Sequence, residues 1–370
     1  MAHHRSRPVI AVIGAGLMGA ATAWQLARRG AQVTLIEAYE IGHRRGSSHG
    51  TSRIFRRVYD DPFYVDLTGR AAECWRDLES DSGTALLRTT GGLDVGADRD
   101  LEGLAAMVSA AGVACELLPE RAARERWPFA RFDGPVLFHP QAGVVDADAT
   151  VAACVRRAAE LGAKIRTGTR VREVRTGGDS ALVRMDDGSE LTADTVVVAA
   201  GAWLPELADA IGTPLRLPPL RVTQQQVFHF RQRDPGQAWP TLVATDELLL
   251  YGLPSGPDGG AAPAVKVAEH DRGTPTTAST RDGIVNPASR DAVSGWVARR
   301  LPGLDPEPVA EAVCLYTTTP DEDFILDRAG PVVVVSPCSG HGAKFTPLIG
   351  HLAADLALGT AGPLPRFALR

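Results

Sequence analysis

The stretch Pro8–Glu37, PVIAVIGAGLMGAATAWQLARRGAQVTLIE, constrains this 370-residue chain more than any other. Val9–Ile13 is a short, wholly apolar run, the pattern of a strand buried on both faces. Gly14, Gly16 and Gly19 follow at G-x-G-x-x-G spacing. Ala20–Arg29 suits a helix lying close on a sheet, Gly30 stops it, and Val33–Ile36 forms a second strand ending at Glu37. The glycines serve a tight turn, close backbone approach to a pyrophosphate and close helix–strand contact. The free N–H groups and dipole of the helix N-terminus favour the phosphates, and Glu37 can accept hydrogen bonds from a ribose. A glycine-rich βαβ turn without a ligand shares part of this pattern. The full strand–helix–strand–acid context favours a dinucleotide, with FAD and NAD both open at this point.

A chain of this length can bury a large core and is expected to form two domains. The formal charge of −5 lacks the basic excess of a nucleic-acid binder. Cys74, Cys115, Cys154, Cys314 and Cys338 are scattered without a C-x-x-C pair, which fits neither a zinc site nor a disulfide framework and suits a reducing compartment. The start, MAHHRSRPV, runs into the first strand without a secretory apolar stretch. No apolar run approaches a membrane span, and the final Ala-Leu-Arg makes a poor peroxisomal signal. A cytoplasmic protein without membrane or metal is expected.

The segment Ile41–Arg57, IGHRRGSSHGTSRIFRR, holds His49 and five arginines. It reads as a solvated basic loop, a nucleic-acid patch, or a loop running past a cofactor toward a substrate. In a helical turn Arg53 and Arg56 would share a face, and one could clamp a carboxylate. A helix is expected over 63–80, a strand pair with a glycine turn over Leu86–Val95, and helical segments within 101–126. From Gly143 an entering turn leads to an amphipathic helix, then strands near Lys164–Thr167 and Thr169–Val174 and a hairpin turning at Asp187-Gly188. A second apolar strand opens Thr195–Leu207 and ends at Gly201, where backbone contact with a cofactor and a plain tight turn are both open readings. Pro214–Leu220 marks a crossing. Strand-like segments follow from Arg221, a polar stretch runs from Asp271 to Ala288, and Ser289–Leu301 is helical. Near the C-terminus the strand PVVVVS precedes Ser339-Gly340-His341-Gly342, which opens a helix whose first turn carries Lys344.

Four blocks, GAGLMG (Gly14–Gly19), GSSHGTSRIFR (Gly46–Arg56), CLYTTTPDEDFILD (Cys314–Asp327) and SGHGAKF (Ser339–Phe345), resemble the sarcosine oxidase, N-methyltryptophan oxidase and pipecolate oxidase group of FAD-dependent amine oxidases. YGLP (Tyr251–Pro254) and VKVAEH (Val265–His270) match as well, and the likeness runs to about Leu358. The fold it implies is α/β. A Rossmann-type FAD domain of the glutathione reductase and D-amino acid oxidase kind would comprise 1–84, 146–217 and 318–370. A second domain with a mixed β-sheet would bind substrate, from 85–145 and 218–317. FAD would be joined covalently to Cys314, which otherwise reads as a small core residue. His49 and Arg53 would lie by the flavin ring and supply a cationic environment. Ser47, Ser52, Val171, Gly201, Gly340 and Gly342 complete the implied cofactor contacts beside Gly14, Gly16, Gly19, Glu37 and Lys344.

The implied substrate is a small α-amino acid with a secondary amine, N-methylated or cyclic. Arg56 and Lys344 would hold its carboxylate, while Tyr251, His270 and Tyr316 would shape the pocket. Hydride would pass to flavin N5, giving an imine, and Lys266 would promote reoxidation by O2 to hydrogen peroxide. On residue pattern alone Lys266 reads equally as an exposed strand lysine and His270 as an ordinary core or surface histidine. Cys338 and Ala343 replace aromatics common in relatives, Thr51 replaces an acid, and Asp258–Pro263 is a Gly/Ala-rich tip. The altered pocket favours cyclic imino acids such as pipecolate or a piperideine carboxylate, acted on by a monomer. Three rivals remain at this stage: a flavin dehydrogenase with another electron acceptor, a nicotinamide-linked reductase, and a non-catalytic flavin-bound subunit.

Overall fold

The computed structural model describes residues 7–270 and 272–369. Residues 1–6 of the lead-in, Asp271 at the head of the polar stretch and Arg370 of the last tripeptide lie outside the described residues. Five strands form a parallel sheet in the order Val332–Ser336, Thr195–Val198, Val9–Ile13, Gln32–Ile36, Lys164–Arg166, and Ile325–Ala329 adds an antiparallel edge. Its central strands are apolar throughout because helices cover one face, as parallel sheets require. The helix Leu17–Arg28 packs on Thr346–Leu358 so closely that a Cβ on Gly350 would sit 2.6 Å from the Ala21 backbone. The other face carries the antiparallel strands Val171–Gly177, Ser180–Met185 and Glu190–Ala193, with the expected turn at Gly188 (φ +82°).

The second large sheet is mixed and nine-stranded. Its spine is the long pair Arg221–Gln232 and Leu304–Thr318, antiparallel over nearly their whole length. Ala264–Glu269, Leu249–Pro254, Thr241–Thr245, Gly92–Val95, Val136–His139 and Glu116–Leu118 extend it in that order, with one parallel pairing, Thr241–Thr245 on Gly92–Val95. The helix Pro287–Arg300 closes one face through Val293, Trp296 and Val297. Among the described residues no helix is long and apolar enough to cross a membrane.

Local signals account for most boundaries. The expected helix over 63–80 runs Pro62–Ser82, because Asp61 caps the Phe63 N–H at 2.9 Å, Pro62 occupies the first turn, and Gly83 (φ +63°) ends it. Two expectations are corrected. Leu87–Thr89 and Gly92–Val95 are not a hairpin. The first pairs with Gly143–Val145 in a small three-stranded sheet, the second with Val136–His139. The N–H groups of Thr90 and Gly91 both donate to the Ala142 carbonyl, at 2.9 and 3.0 Å, which turns the chain from one sheet into the other. Arg53–Phe55 is likewise a strand of that small sheet and not a helical turn, so Arg53 and Arg56 reach different partners.

Candidate active site

Between the parallel sheet and the nine-stranded sheet lies a cavity of about 1440 Å³, larger than the ~300–1,000 Å³ of ordinary small-ligand pockets. It runs from the glycine loop past Cys314 to Lys344.

At the glycine end, Gly14 has φ +93° and the Ile36 carbonyl accepts its N–H at 2.8 Å. A Cβ on Gly14 would lie 2.5 Å from the Ala199 carbonyl oxygen, one on Gly16 2.8 Å from Ser48 Oγ, and one on Gly19 1.8 Å from the Gly14 oxygen. Glu37 is buried and accepts the Ala15 N–H at 2.8 Å and the Tyr39 N–H at 3.1 Å. Burial alone would raise its proton affinity, but the His43 and Ala15 hydrogen bonds win and hold it ionised below the usual carboxylate range. Val171 and Gly201 (φ +53°) line the same end.

Midway, the loop Gly46–Ser52 is tied down by the Ser47 hydroxyl, which donates to the Leu315 carbonyl on the strand that carries Cys314. The Arg53 guanidinium donates to the carbonyls of Ser52 (2.9 Å), Ser47 (3.3 Å) and His49, all in its own loop. His49 does not join it as a cation. Burial first, then Arg53 and Lys266, push its pKa down to about 4, so the ring is neutral near pH 7. Its Nε2 and the Ser52 Oγ are buried on the cavity wall with no hydrogen-bond partner among the described residues. Cys314 faces the cavity, and burial pushes its thiol up despite Arg53 and Lys266. The cations near the thiol are Arg53 and Lys266, without the expected His49, and they do not by themselves yield a standing thiolate.

At the far end, Tyr251 and Tyr316 hydrogen-bond each other, and burial pushes Tyr251 up to about 12. The His270 ring lies 5.5 Å from that of Tyr316. Gly340 (φ +73°) fits beneath both, since a Cβ there would meet Tyr316 at 2.4 Å and His270 at 2.8 Å. Gly342 is equally tight, with the Pro337 oxygen 1.6 Å from its absent Cβ. Lys344 sits in the 3₁₀ turn Gly342–Phe345 that precedes the α-helix, a half-turn earlier than expected. Its buried ammonium donates to the His341 carbonyl at 2.8 Å and lies 5.5 Å from the Tyr59 ring centre. Arg56 covers the same ring at 4.8 Å. Burial, then Arg56, lower the pKa of Lys344 well below the ordinary lysine value. Two basic side chains thus approach one aromatic ring. Among the described residues Lys344 has no carboxylate partner, and Arg56 has a long 3.4 Å contact with Asp94. Such a site gains from an anion.

Lys266, on Ala264–Glu269, is buried and donates to the Ser52 carbonyl at 3.0 Å and to Asp258 at 3.1 Å. Asp258–Pro263 is therefore not a free tip, because its first residue turns inward onto Lys266 and Thr51. Asp258, Tyr59, Asp94, Arg99 and His139 carry no motif of their own. Asp94 is fully buried between Arg56, Arg99 and His139 (3.1 Å) and anchors the arginine end of the cavity. One signal was available in the sequence. The chain has only three lysines among its 39 basic residues, and two of them, Lys266 and Lys344, are the buried cations of the cavity.

A glycine cradle with no room for side chains, an acid at the end of the second strand and unpartnered buried polar atoms midway define the class: a dinucleotide-type oxidoreductase whose residues fit FAD. The family model "FAD dependent oxidoreductase" matches residues 10–356. Human peroxisomal sarcosine oxidase is 34% identical, the match covering 94% of this chain and 91% of that protein. Monomeric sarcosine oxidase of Streptomyces avermitilis is also 34% identical, over 97% and 96%. N-methyl-L-tryptophan oxidase of Yersinia pestis is 30% identical over 95% of each. Among solved structures, NikD, described as an unusual amino acid oxidase essential for nikkomycin biosynthesis, superposes with a TM-score of 0.87 at 28% identity, covering 98% of this chain and 97% of that one. The chain belongs to the FAD-dependent oxidoreductase family, in the sarcosine oxidase and N-methyltryptophan oxidase group, and is an FAD-dependent amino-acid oxidase.

Proposed function

We propose that the protein oxidises a secondary-amine α-amino acid, N-methylated or cyclic, to an imine with O2 as electron acceptor and hydrogen peroxide as product. The observation that carries this reading is the convergence of Arg56 and Lys344 over Tyr59, an anion site in the same cavity as the glycine cradle. Bound FAD supplies the hydride acceptor and passes the electrons on. Arg56 and Lys344 hold the substrate carboxylate through charge-assisted bonds. Tyr251, Tyr316 and His270 border the amine, and the two phenols, neutral at working pH, orient it by hydrogen bonding. Lys266 faces oxygen as a local positive charge. Cys338 and Ala343 both line the cavity, and their small side chains favour a ring over an N-methyl group, so cyclic imino acids such as pipecolate or a piperideine carboxylate are the preferred class. Cys314, beside Arg53 and Lys266, carries the flavin covalently, with the FAD unit in 1–84, 146–217 and 318–370 and the substrate unit in 85–145 and 218–317. The names of the bacterial relatives support a monomer, and the absence of a membrane-spanning helix among the described residues is compatible with a cytoplasmic enzyme.

The test is a screen of N-methyl and cyclic amino acids against purified protein, with oxygen uptake and peroxide measured together. Equimolar peroxide and oxidised amine is the expected result. Amine oxidation without oxygen uptake would assign a dehydrogenase. Acid precipitation tests the covalent bond: yellow colour should stay with the pellet and move to the supernatant in Cys314→Ala.

A further inference from the structure

Asp258 lies in the turn Pro257–Gly259, where the chain passes from Leu249–Pro254 to Ala264–Glu269. Four donors hold its carboxylate. Oδ1 accepts the Thr51 hydroxyl at 2.5 Å and the Gly256 N–H at 3.2 Å, while Oδ2 accepts the Thr51 N–H at 3.2 Å and Lys266 Nζ at 3.1 Å. The Asp258 N–H donates back to Thr51 Oγ1 at 3.2 Å, so strand turn and cofactor loop are locked together. The Lys266 side chain is 3% exposed and that of Asp258 16%, and both residues line the cavity. Lysine 266 has no other carboxylate partner among the described residues.

We propose that Asp258 is the positioning counter-ion of Lys266: it keeps the lysine protonated at the cavity wall and thereby sets the rate at which O2 reoxidises the reduced cofactor. The rate clause rests on the reading of Lys266 as the oxygen-facing cation. The charged and titratable groups facing Lys266 are Arg53 and His49 from the cofactor loop, His229 opposite it on the neighbouring strand, Cys314 on the next strand, and Asp258. His49 and His229 are neutral near pH 7, since burial brings both down to about 4. Burial and Arg53 work against the ammonium, Asp258 works for it, and the balance is about 8. Without Asp258 only the last and smallest influence, that of Cys314, still opposes burial and Arg53, so the pKa of the amine falls further below its ordinary value. A charge partly offset by a neighbouring carboxylate still exceeds no charge at all. In the step served, O2 takes up two electrons and two protons to become hydrogen peroxide. The electrons and one proton leave the reduced cofactor, the second proton comes from solvent, and Lys266 keeps its own.

Three lysines in the chain make a direct measurement practical. Holoenzyme labelled with ¹³Cε-lysine gives one signal each for Lys164, Lys266 and Lys344, with Lys266→Met assigning the middle one. The Lys266 midpoint is expected near 8 in the parent. It should fall by at least about one pH unit in Asp258→Asn, and return toward the parent in Asp258→Glu. In parallel, enzyme reduced without air is mixed with O2 and the return of flavin absorbance followed. Asp258→Asn should reoxidise at least about fivefold more slowly at pH 8 and recover toward the parent at pH 6, where the lysine regains its proton. An unchanged midpoint in Asp258→Asn overturns the pairing, and slow reoxidation at both pH values overturns the charge role, leaving a structural one. Wild-type reoxidation in Lys266→Met, with the midpoint still shifting in Asp258→Asn, overturns the oxygen role of Lys266 while the ion pair stands.

Discussion

Lys344 and Arg56 show what burial does to a charge. Lys344 is 3% exposed, has lost its water, and faces a second cation over Tyr59. The protein pays for that arrangement elsewhere, through the His341 carbonyl and Asp94. In the proposed function, a substrate carboxylate would restore what desolvation removed. Removing either cation, as in Arg56→Ala or Lys344→Ala, should lower kcat/KM by roughly 10- to 100-fold, from the ~1.5–3 kcal/mol of a hydrogen bond to a charged group. Steady-state kinetics on the substrate found in the screen checks this, and the loss should be smaller for an amine that lacks a carboxylate. Equal losses for both amines would remove the carboxylate from the site.

At the scale of elements, the glycine loop and its strands depend on backbone approach. Gly14 combines φ +93° with a carbonyl 2.5 Å from its missing Cβ, whereas Gly30 (φ +82°) has nothing within 4 Å. Gly14→Ala should therefore purify with little flavin, read as the ratio of visible to ultraviolet absorbance. Gly30→Ala should load normally and lose only about 1 kcal/mol of stability from left-handed strain, read by denaturant titration. The comparison separates a cofactor role from a turn role, since φ is positive at both positions.

The whole molecule stores a pH dependence in its buried rings. Burial is the largest influence on His49, His229 and His341, and it brings them from the ordinary 6.5 to about 4, about 4 and about 3. Between about 6.5 and 4 the unfolded chain holds these protons and the native state does not. Stability therefore rises with pH across that window and is lost as pH falls through it. Thermal unfolding of the holoenzyme between pH 7 and 5 should show Tm dropping, with a shallower slope in His229→Gln. A flat profile in the parent would show that these rings are protonated in the native state.

Much of the cofactor half was legible in the chain itself. The apolar strands Val9–Ile13 and Val332–Ser336, the glycine spacing and Glu37 follow from local pattern, because a strand covered on both faces must be apolar and a pyrophosphate needs bare backbone. Local chemistry also set the helix over Pro62–Ser82 and the turn at Gly188. Other features needed the folded chain. Leu87–Thr89 and Gly92–Val95 look like one hairpin but belong to two sheets, since strand pairing is decided by non-local partners such as Val144 and Phe138. Asp258 and Lys266, eight residues apart across a strand turn, pair only because the Thr51 loop comes from the other end of the sequence to hold them. The sequence by itself determined which residues can bear charge and where the backbone must stay bare. The tertiary structure decided which charges meet, how much water each keeps, and so that His49 is neutral, Lys344 is desolvated and Lys266 has a counter-ion, because burial and pairing are properties of positions in space.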